Sequence, residues 1–99
     1  MLSLSGKSVV VIGGSRGVGR RVVEAAIGDG ARVLAVARQE ERLRQLAREV
    51  QGVEVLALDA TEESAPSRVF DVLRPDVLVE IPVVVYSIER GASAHLLTR

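Results

Sequence analysis

The sequence has 99 residues, enough for one domain with a single hydrophobic core. Hydrophobic residues make up 47% of the chain, which excludes a disordered composition. The 13 basic and 13 acidic residues give a net charge of zero, so no positive excess favours nucleic acid as a partner. Cysteine is absent, the amino terminus does not resemble a signal peptide, and no apolar run reaches the ~18 residues of a membrane span. We expect a cytoplasmic protein with no metal site and no membrane partner.

Apolar strands and amphipathic helices are predicted to alternate along the first 79 residues. The continuously apolar run Ser8–Ile12 is typical of a strand buried on both faces. Further strands are predicted at 31–37, 53–58 and from 77, and helices after the glycines, at 39–50 and at 61–73 with Thr61 as N-cap. One face of the first helix is predicted to be apolar through Val18, Val22, Val23, Ala26 and Ile27.

The helix predicted at 39–50 has two different faces. Its apolar face is predicted to contain Leu43, Leu46, Ala47 and Val50. Its other face, which we expect to be solvated, carries Glu40, Glu41, Arg42, Arg44, Arg48 and Glu49.

The βαβαβαβ order predicts an α/β fold, a three-layer Rossmann-like parallel sheet with right-handed crossovers. The expected strand order is 3-2-1-4, which corresponds to the first half of a dinucleotide-binding fold.

The stretch VVVIGGSRGVGR, residues 9–20, places glycines where the first strand passes into the first helix. Gly13, Gly17 and Gly19 have the spacing G-x-x-x-G-x-G. Unpaired N–H groups and the dipole of the helix favour an anion there, and glycine lets a pyrophosphate approach the backbone. A glycine-rich turn without a ligand is the alternative. A nucleoside-triphosphate P-loop is disfavoured, because no Gly-Lys-Ser/Thr follows the glycines.

Four segments, VVVIGGSRGVGR, GARVLAVARQEERL, LALDATEES and RPDVLV, resemble the N-terminal half of a short-chain dehydrogenase/reductase over about residues 5–79. Ile12 stands where that family has threonine. The resemblance implies a dinucleotide cofactor. The implied cofactor-binding residues are Gly13, Ser15, Arg16, Gly17, Val18, Gly19, Arg38, Asp59 and Ala60.

The end of the second predicted strand indicates which dinucleotide is bound. NAD-preferring sites often have a carboxylate at this position, whereas here Arg38 follows the strand. Arg38 and Arg16 are both placed to face the 2′-phosphate, so we expect NADP(H) to be preferred over NAD(H). The alternative is a pair of solvated arginines. By resemblance, Asp59 contacts the adenine amino group and Ala60 lines the adenine pocket; alternatively, Asp59 ends the strand and helps to cap the next helix.

The resemblance implies that the family's catalytic Ser and Tyr-x-x-x-Lys belong to a later part of the fold. The only lysine here is Lys7, which precedes the first strand, and Tyr86 comes too early for the active-site helix. We therefore expect no catalytic residue in this chain. The family's Asn-Asn-Ala-Gly is replaced by EIPV at 80–83, so we divide the chain into a half-domain, 1–79, and a divergent tail, 80–99. A frameshift or deletion is a hypothesis for this tail.

The tail contains an apolar run, 83–86, that we expect to lie along an exposed sheet edge and to favour self-association. Pro82 is expected at an edge or a bulge. Three functions remain open: the NADP(H)-binding module of an oxidoreductase without its catalytic half, a non-catalytic dinucleotide-binding or interaction domain, and a nonfunctional gene remnant.

Overall fold

A computed structural model describes residues 4–13, 15, 17–80, 84–88 and 94–96. Its elements in chain order are β1 (Ser8–Ile12), α1 (Gly17–Gly28), β2 (Arg32–Ala37), α2 (Glu40–Glu49), β3 (Glu54–Ala57), α3 (Ala65–Val72), β4 (Val77–Glu80), β5 (Val84–Ile88) and β6 (Ala94–Leu96). The bounds of β1, β2, α2 and β3 lie within one residue of those predicted. None of these three described helices has the length and apolar character needed to cross a membrane.

The described strands form one sheet in the order β3-β2-β1-β4-β5-β6. β1 pairs in parallel with β2 and β4, and β2 pairs in parallel with β3. These pairings confirm the predicted order 3-2-1-4 and the Rossmann-like fold. Ile12 lies opposite Val36, and Ala37 lies opposite Ala57. The carboxyl ends of β1, β2 and β3 therefore meet at one edge of the sheet.

Both faces of β1 and β2 are covered: successive strand residues point to opposite sides of the sheet, and the central residues of both strands are buried. On one side, β1, β2 and β4 pack against α1 and α2 through Val9, Val11, Val23, Ala26, Val33, Ala35, Leu43, Leu46 and Val79. On the other side, β1 and β2 pack against α3 and its flanking residues through Val10, Leu34, Val36, Leu58, Ala65, Val69 and Leu73. This alternation produces the three layers that the apolar runs predict.

The apolar face of α1 is shorter than predicted. Val23 and Ala26 are buried, whereas Val18 is 54% exposed. Val18 belongs to the first turn of α1, which begins at Gly17. The part of the apolar face at the start of the helix is therefore exposed.

All six charged residues on the other face of α2 are exposed, as predicted, and one of them also joins two helices. Arg20 of α1 donates from Nη1 to the Glu49 carboxylate at 2.6 Å, and it also pairs with Glu24 at 3.3 Å. Hydrogen bonds from Gln45 and then Arg20 lower the pKa of Glu49. On the predicted apolar face, Ala47 is exposed.

The last helix, α3, begins at Ala65 and not after Thr61, so the predicted N-cap was wrong. Thr61 donates both its N–H and its hydroxyl group to the Asp59 carboxylate, which fixes a turn ahead of the helix. Ser64 occupies the cap position, and Pro66 lies in the first turn, where its missing N–H costs no helical hydrogen bond.

The tail continues the sheet with strands of opposite direction. β5 pairs antiparallel with β4, and β6 pairs antiparallel with β5. The apolar run was expected at an edge, but β5 lies between two strands, and β3 and β6 are the edges of the described sheet. Pro82 lies outside the described residues. The division at residue 79 and self-association through an edge stay predictions.

The two-sided burial of β2 is open to a direct test. Leu34 has no exposed surface. We expect Leu34→Ala to lower the free energy of unfolding by about 2–5 kcal/mol, because a cavity adds to the lost burial. Val72→Ala is the control at a 42% exposed position and should change it by less than about 0.5 kcal/mol. Urea unfolding followed by circular dichroism measures both, and equal effects would contradict this core.

Candidate functional site

Three loops are held side by side at the carboxyl edge of β1, β2 and β3. Two backbone hydrogen bonds extend the parallel ladders past the strand ends. The Gly13 N–H donates to the Val36 carbonyl at 2.7 Å, and the Leu58 N–H donates to the Ala37 carbonyl at 2.8 Å. Ligands of open parallel sheets bind at this edge, so the residues that follow these strands form the candidate site.

The loop after β1 has the conformation that its glycines permit. Gly13 has φ of 86° and Gly17 has φ of 59°, both in the left-handed region. A Cβ atom added to Gly17 would meet no protein atom within 4 Å, so the backbone there is open to close approach. Gly19 is buried in α1. Gly14 and Arg16 lie outside the described residues, so the predicted role of Arg16 stays a prediction.

A cleft of about 420 Å³ opens beside this loop. It is lined by Ser15, Ala37, Arg38, Gln39 and Arg42. Ser15 and Arg38 are two of the predicted cofactor-binding residues, whereas Arg42 was predicted only on the solvated face of α2. Arg42 lies in the first turn of α2, and no spacing in the sequence places it beside Arg38, which precedes the helix.

Asp59 follows β3 and is fixed by its neighbour Thr61. The Thr61 hydroxyl group donates to Asp59 Oδ1 at 2.6 Å, and the Thr61 N–H donates to the same atom at 2.9 Å. These two bonds lower the pKa of Asp59, and the positive charge of Arg38 lowers it further. The Asp59 carboxylate, which follows β3, is therefore ionised and interacts electrostatically with Arg38. The partly buried Ala60 comes next.

The groups at this edge suit a ligand that carries both negatively charged groups and a nucleobase able to form hydrogen bonds. They are the N–H groups at the start of α1, the guanidinium groups of Arg38 and Arg42, and the Asp59 carboxylate. The space beside Gly17 gives a phosphate access to the backbone. In the described part of the chain, no three His, Asp or Glu side chains are grouped so that they could hold a metal ion.

The chain is similar in sequence to members of one family of enzymes. The family model for short chain dehydrogenase matches residues 7–86. L-xylulose reductase of Homo sapiens is 39% identical over 79 residues, which are 79% of this chain and 32% of that protein. L-xylulose reductase of Bos taurus is 36% identical over 86 residues, which are 86% of this chain and 35% of that protein. The chain thus spans about a third of the length of the curated relatives it matches.

A solved structure agrees with these sequence relatives. The Pseudomonas aeruginosa RhlG/NADP active-site complex superposes with a TM-score of 0.69 and 30% identity, over 78% of this chain and 33% of its own. The residues that the family model matches, 7–86, include the glycine loop and the first four strands. The family model covers most of the sequence, so the resemblance seen in the motifs is confirmed: the chain belongs to the short chain dehydrogenase family.

Proposed function

We propose that this chain binds NADP(H) in preference to NAD(H) and is the cofactor-binding part of a short-chain oxidoreductase. The observation that carries the proposal is the position of Arg38, which lines the cleft beside the glycine loop at the end of β2. NAD-preferring sites often have a carboxylate here, whereas a guanidinium group suits the oxygens of a 2′-phosphate. The complex of the P. aeruginosa relative contains NADP, which supports the same choice.

Each part of the cofactor has a group of the expected kind at this edge. The pyrophosphate would contact the loop and the first turn of α1, at Gly13, Ser15, Gly17, Val18 and Gly19. Arg16 and Arg38 would face the 2′-phosphate, and Asp59 and Ala60 would contact the adenine. In a complete enzyme of this family, the bound nicotinamide would exchange a hydride with the substrate.

The electrostatics at β3 support an adenine contact at Asp59. An ionised carboxylate accepts a hydrogen bond from the exocyclic amino group of adenine. Thr61 donates twice to Oδ1, which fixes the orientation of the carboxylate. The alternative role of Asp59 as a helix cap has no support, because the residue bonds to Thr61 and α3 begins four residues after Thr61.

Calorimetric titration of the purified chain with NADP⁺ and NAD⁺ tests the proposal. We expect tighter binding of NADP⁺, and we expect Arg38→Ala to weaken it about tenfold or more while NAD⁺ binding changes little. One charge-assisted hydrogen bond contributes roughly 1.5–3 kcal/mol, and about 1.4 kcal/mol corresponds to a factor of ten.

The matched control for this titration is Arg74→Ala. Arg74 is exposed in the turn before β4, at the opposite edge of the sheet, and its loss removes the same charge. At physiological salt the Debye length is about 8 Å, so NADP⁺ affinity should stay within about twofold. A folded wild-type chain that binds neither dinucleotide would contradict the proposal and favour an interaction domain.

The Asp59 turn gives a second prediction. Thr61→Ala removes the hydroxyl donor and should raise the pKa of Asp59 towards its ordinary value, whereas Thr61→Ser should leave it low. The folded pKa is depressed, so the stabilisation it provides is present above the unfolded pKa and is lost as the pH falls through the folded pKa. Thr61→Ala should reduce this loss at acid pH. Carboxyl NMR titration measures the pKa, and identical values in both variants would contradict the assignment.

The chain alone should not catalyse carbonyl reduction. Its one lysine, Lys7, precedes β1 and lies at the edge opposite the cleft, about 17 Å away for five extended residues. It is therefore too distant to lower the pKa of a tyrosine at the site, which general acid–base catalysis by tyrosine requires. NADPH oxidation with carbonyl substrates should equal that of an empty-vector preparation. Turnover above that control, removed by Tyr86→Phe, would overturn this prediction.

A further inference from the structure

The cleft beside the glycine loop has two arginines, of which the proposed function uses one. Arg38 follows β2, and Arg42 lies in the first turn of α2. Both line the same cleft of about 420 Å³ together with Ser15. Arg42 is not one of the residues that were expected to contact the cofactor.

A hydrogen bond within the cleft fixes the orientation of Arg42. Its Nε donates to Oε1 of Gln39, the residue that precedes α2. The Gln39 side chain makes no capping bond to the helix, and its amide oxygen accepts the hydrogen bond from Arg42 instead. This bond occupies Nε and leaves the two terminal nitrogens of the Arg42 guanidinium for a ligand.

The charges of the two cleft arginines are not neutralised by ion pairs within the described part of the chain. Neighbouring Arg44 differs from them, because its guanidinium is bonded to the Glu40 carboxylate at 2.6 Å. Glu40, the acidic residue closest in sequence to Gln39, is therefore already paired with Arg44. Arg38 and Arg42 therefore present two positive groups in one cleft, with Asp59 acting on Arg38 from the side of β3.

We propose that Arg42 is a further specificity-determining residue for the phosphomonoester of the cofactor, beside Arg38 and the predicted Arg16, and that Gln39 is the positioning residue that holds it. This inference rests on the proposed function, namely preference for NADP(H). A phosphomonoester carries a charge of about −1.5 to −2 and three acceptor oxygens at neutral pH. One guanidinium fork engages two oxygens and one charge, so a phosphomonoester can bind more than one guanidinium group.

Titration calorimetry of the folded 99-residue chain with NADP⁺ and NAD⁺, at physiological salt, tests this inference. Arg42→Ala should weaken NADP⁺ binding about tenfold and leave NAD⁺ binding within about twofold. Arg42→Lys keeps the charge without the planar fork and should recover part of the loss. Arg44→Ala removes the same charge from the same helix outside the cleft, and it should leave NADP⁺ affinity within about twofold.

The role of Gln39 requires a separate comparison. Gln39→Ala should weaken NADP⁺ binding about threefold, a smaller loss than Arg42→Ala, and it should leave the midpoint of thermal unfolding unchanged. In the Arg42→Ala background the same substitution should have no further effect on NADP⁺, because Gln39 acts through Arg42. An additive loss in the double variant would overturn the positioning role.

The outcomes separate this inference from the proposed function. Selective loss of NADP⁺ affinity in Arg42→Ala, with circular dichroism unchanged, supports the inference. If the wild type prefers NADP⁺ and Arg38→Ala removes that preference while Arg42→Ala does not, only the role of Arg42 is overturned. If the folded wild type shows no preference for NADP⁺, the proposed function fails and the inference fails with it.

Discussion

The parallel pairing of β1, β2 and β3 is the constraint on which the candidate site depends. The bonds from Gly13 N–H to the Val36 carbonyl and from Leu58 N–H to the Ala37 carbonyl continue this pairing past the strand ends. Residues 13, 38 and 59 are far apart in the sequence and become neighbours only through these ladders. The φ of 86° at Gly13 lets the chain leave β1 directly after the first of these bonds. The geometry of the site is therefore a consequence of strand register.

Charge is organised locally in a chain whose net charge is zero. Arg20 with Glu49 joins α1 to α2, and Arg32 with Glu54 joins β2 to β3 at the end of the sheet away from the cleft. These exposed pairs contribute little to stability. At the cleft, Arg38 and Arg42 form no ion pair with any described residue. A balanced composition thus argues against a broad polyanion such as nucleic acid, but it allows one concentrated anion site.

Sequence patterns predicted the sheet order and the three layers, because apolar runs of four to six residues report burial on both faces. They failed where a side chain had two possible environments. Val18 is apolar but lies in a helix turn beyond the core, and Thr61 could cap a helix but bonds back to Asp59. Arg42 is exposed, as predicted for a solvated face, but its place at the cleft depends on the position of α2 relative to β2. The pairing of β5 with β6 depends on contacts between segments that periodicity does not encode.

Cofactor recognition and proton chemistry make different demands on a fold of this kind. The proposed cofactor recognition would use backbone N–H groups, guanidinium groups and one carboxylate, all of which lie within residues 8–61. A ligand that binds only the folded state adds RT ln(1 + [L]/Kd) to the stability of that state. The left-handed glycines at 13 and 17 cost conformational entropy on folding, and a bound pyrophosphate would offset that cost. In such a chain, occupancy of the cleft and stability of the sheet are therefore thermodynamically linked.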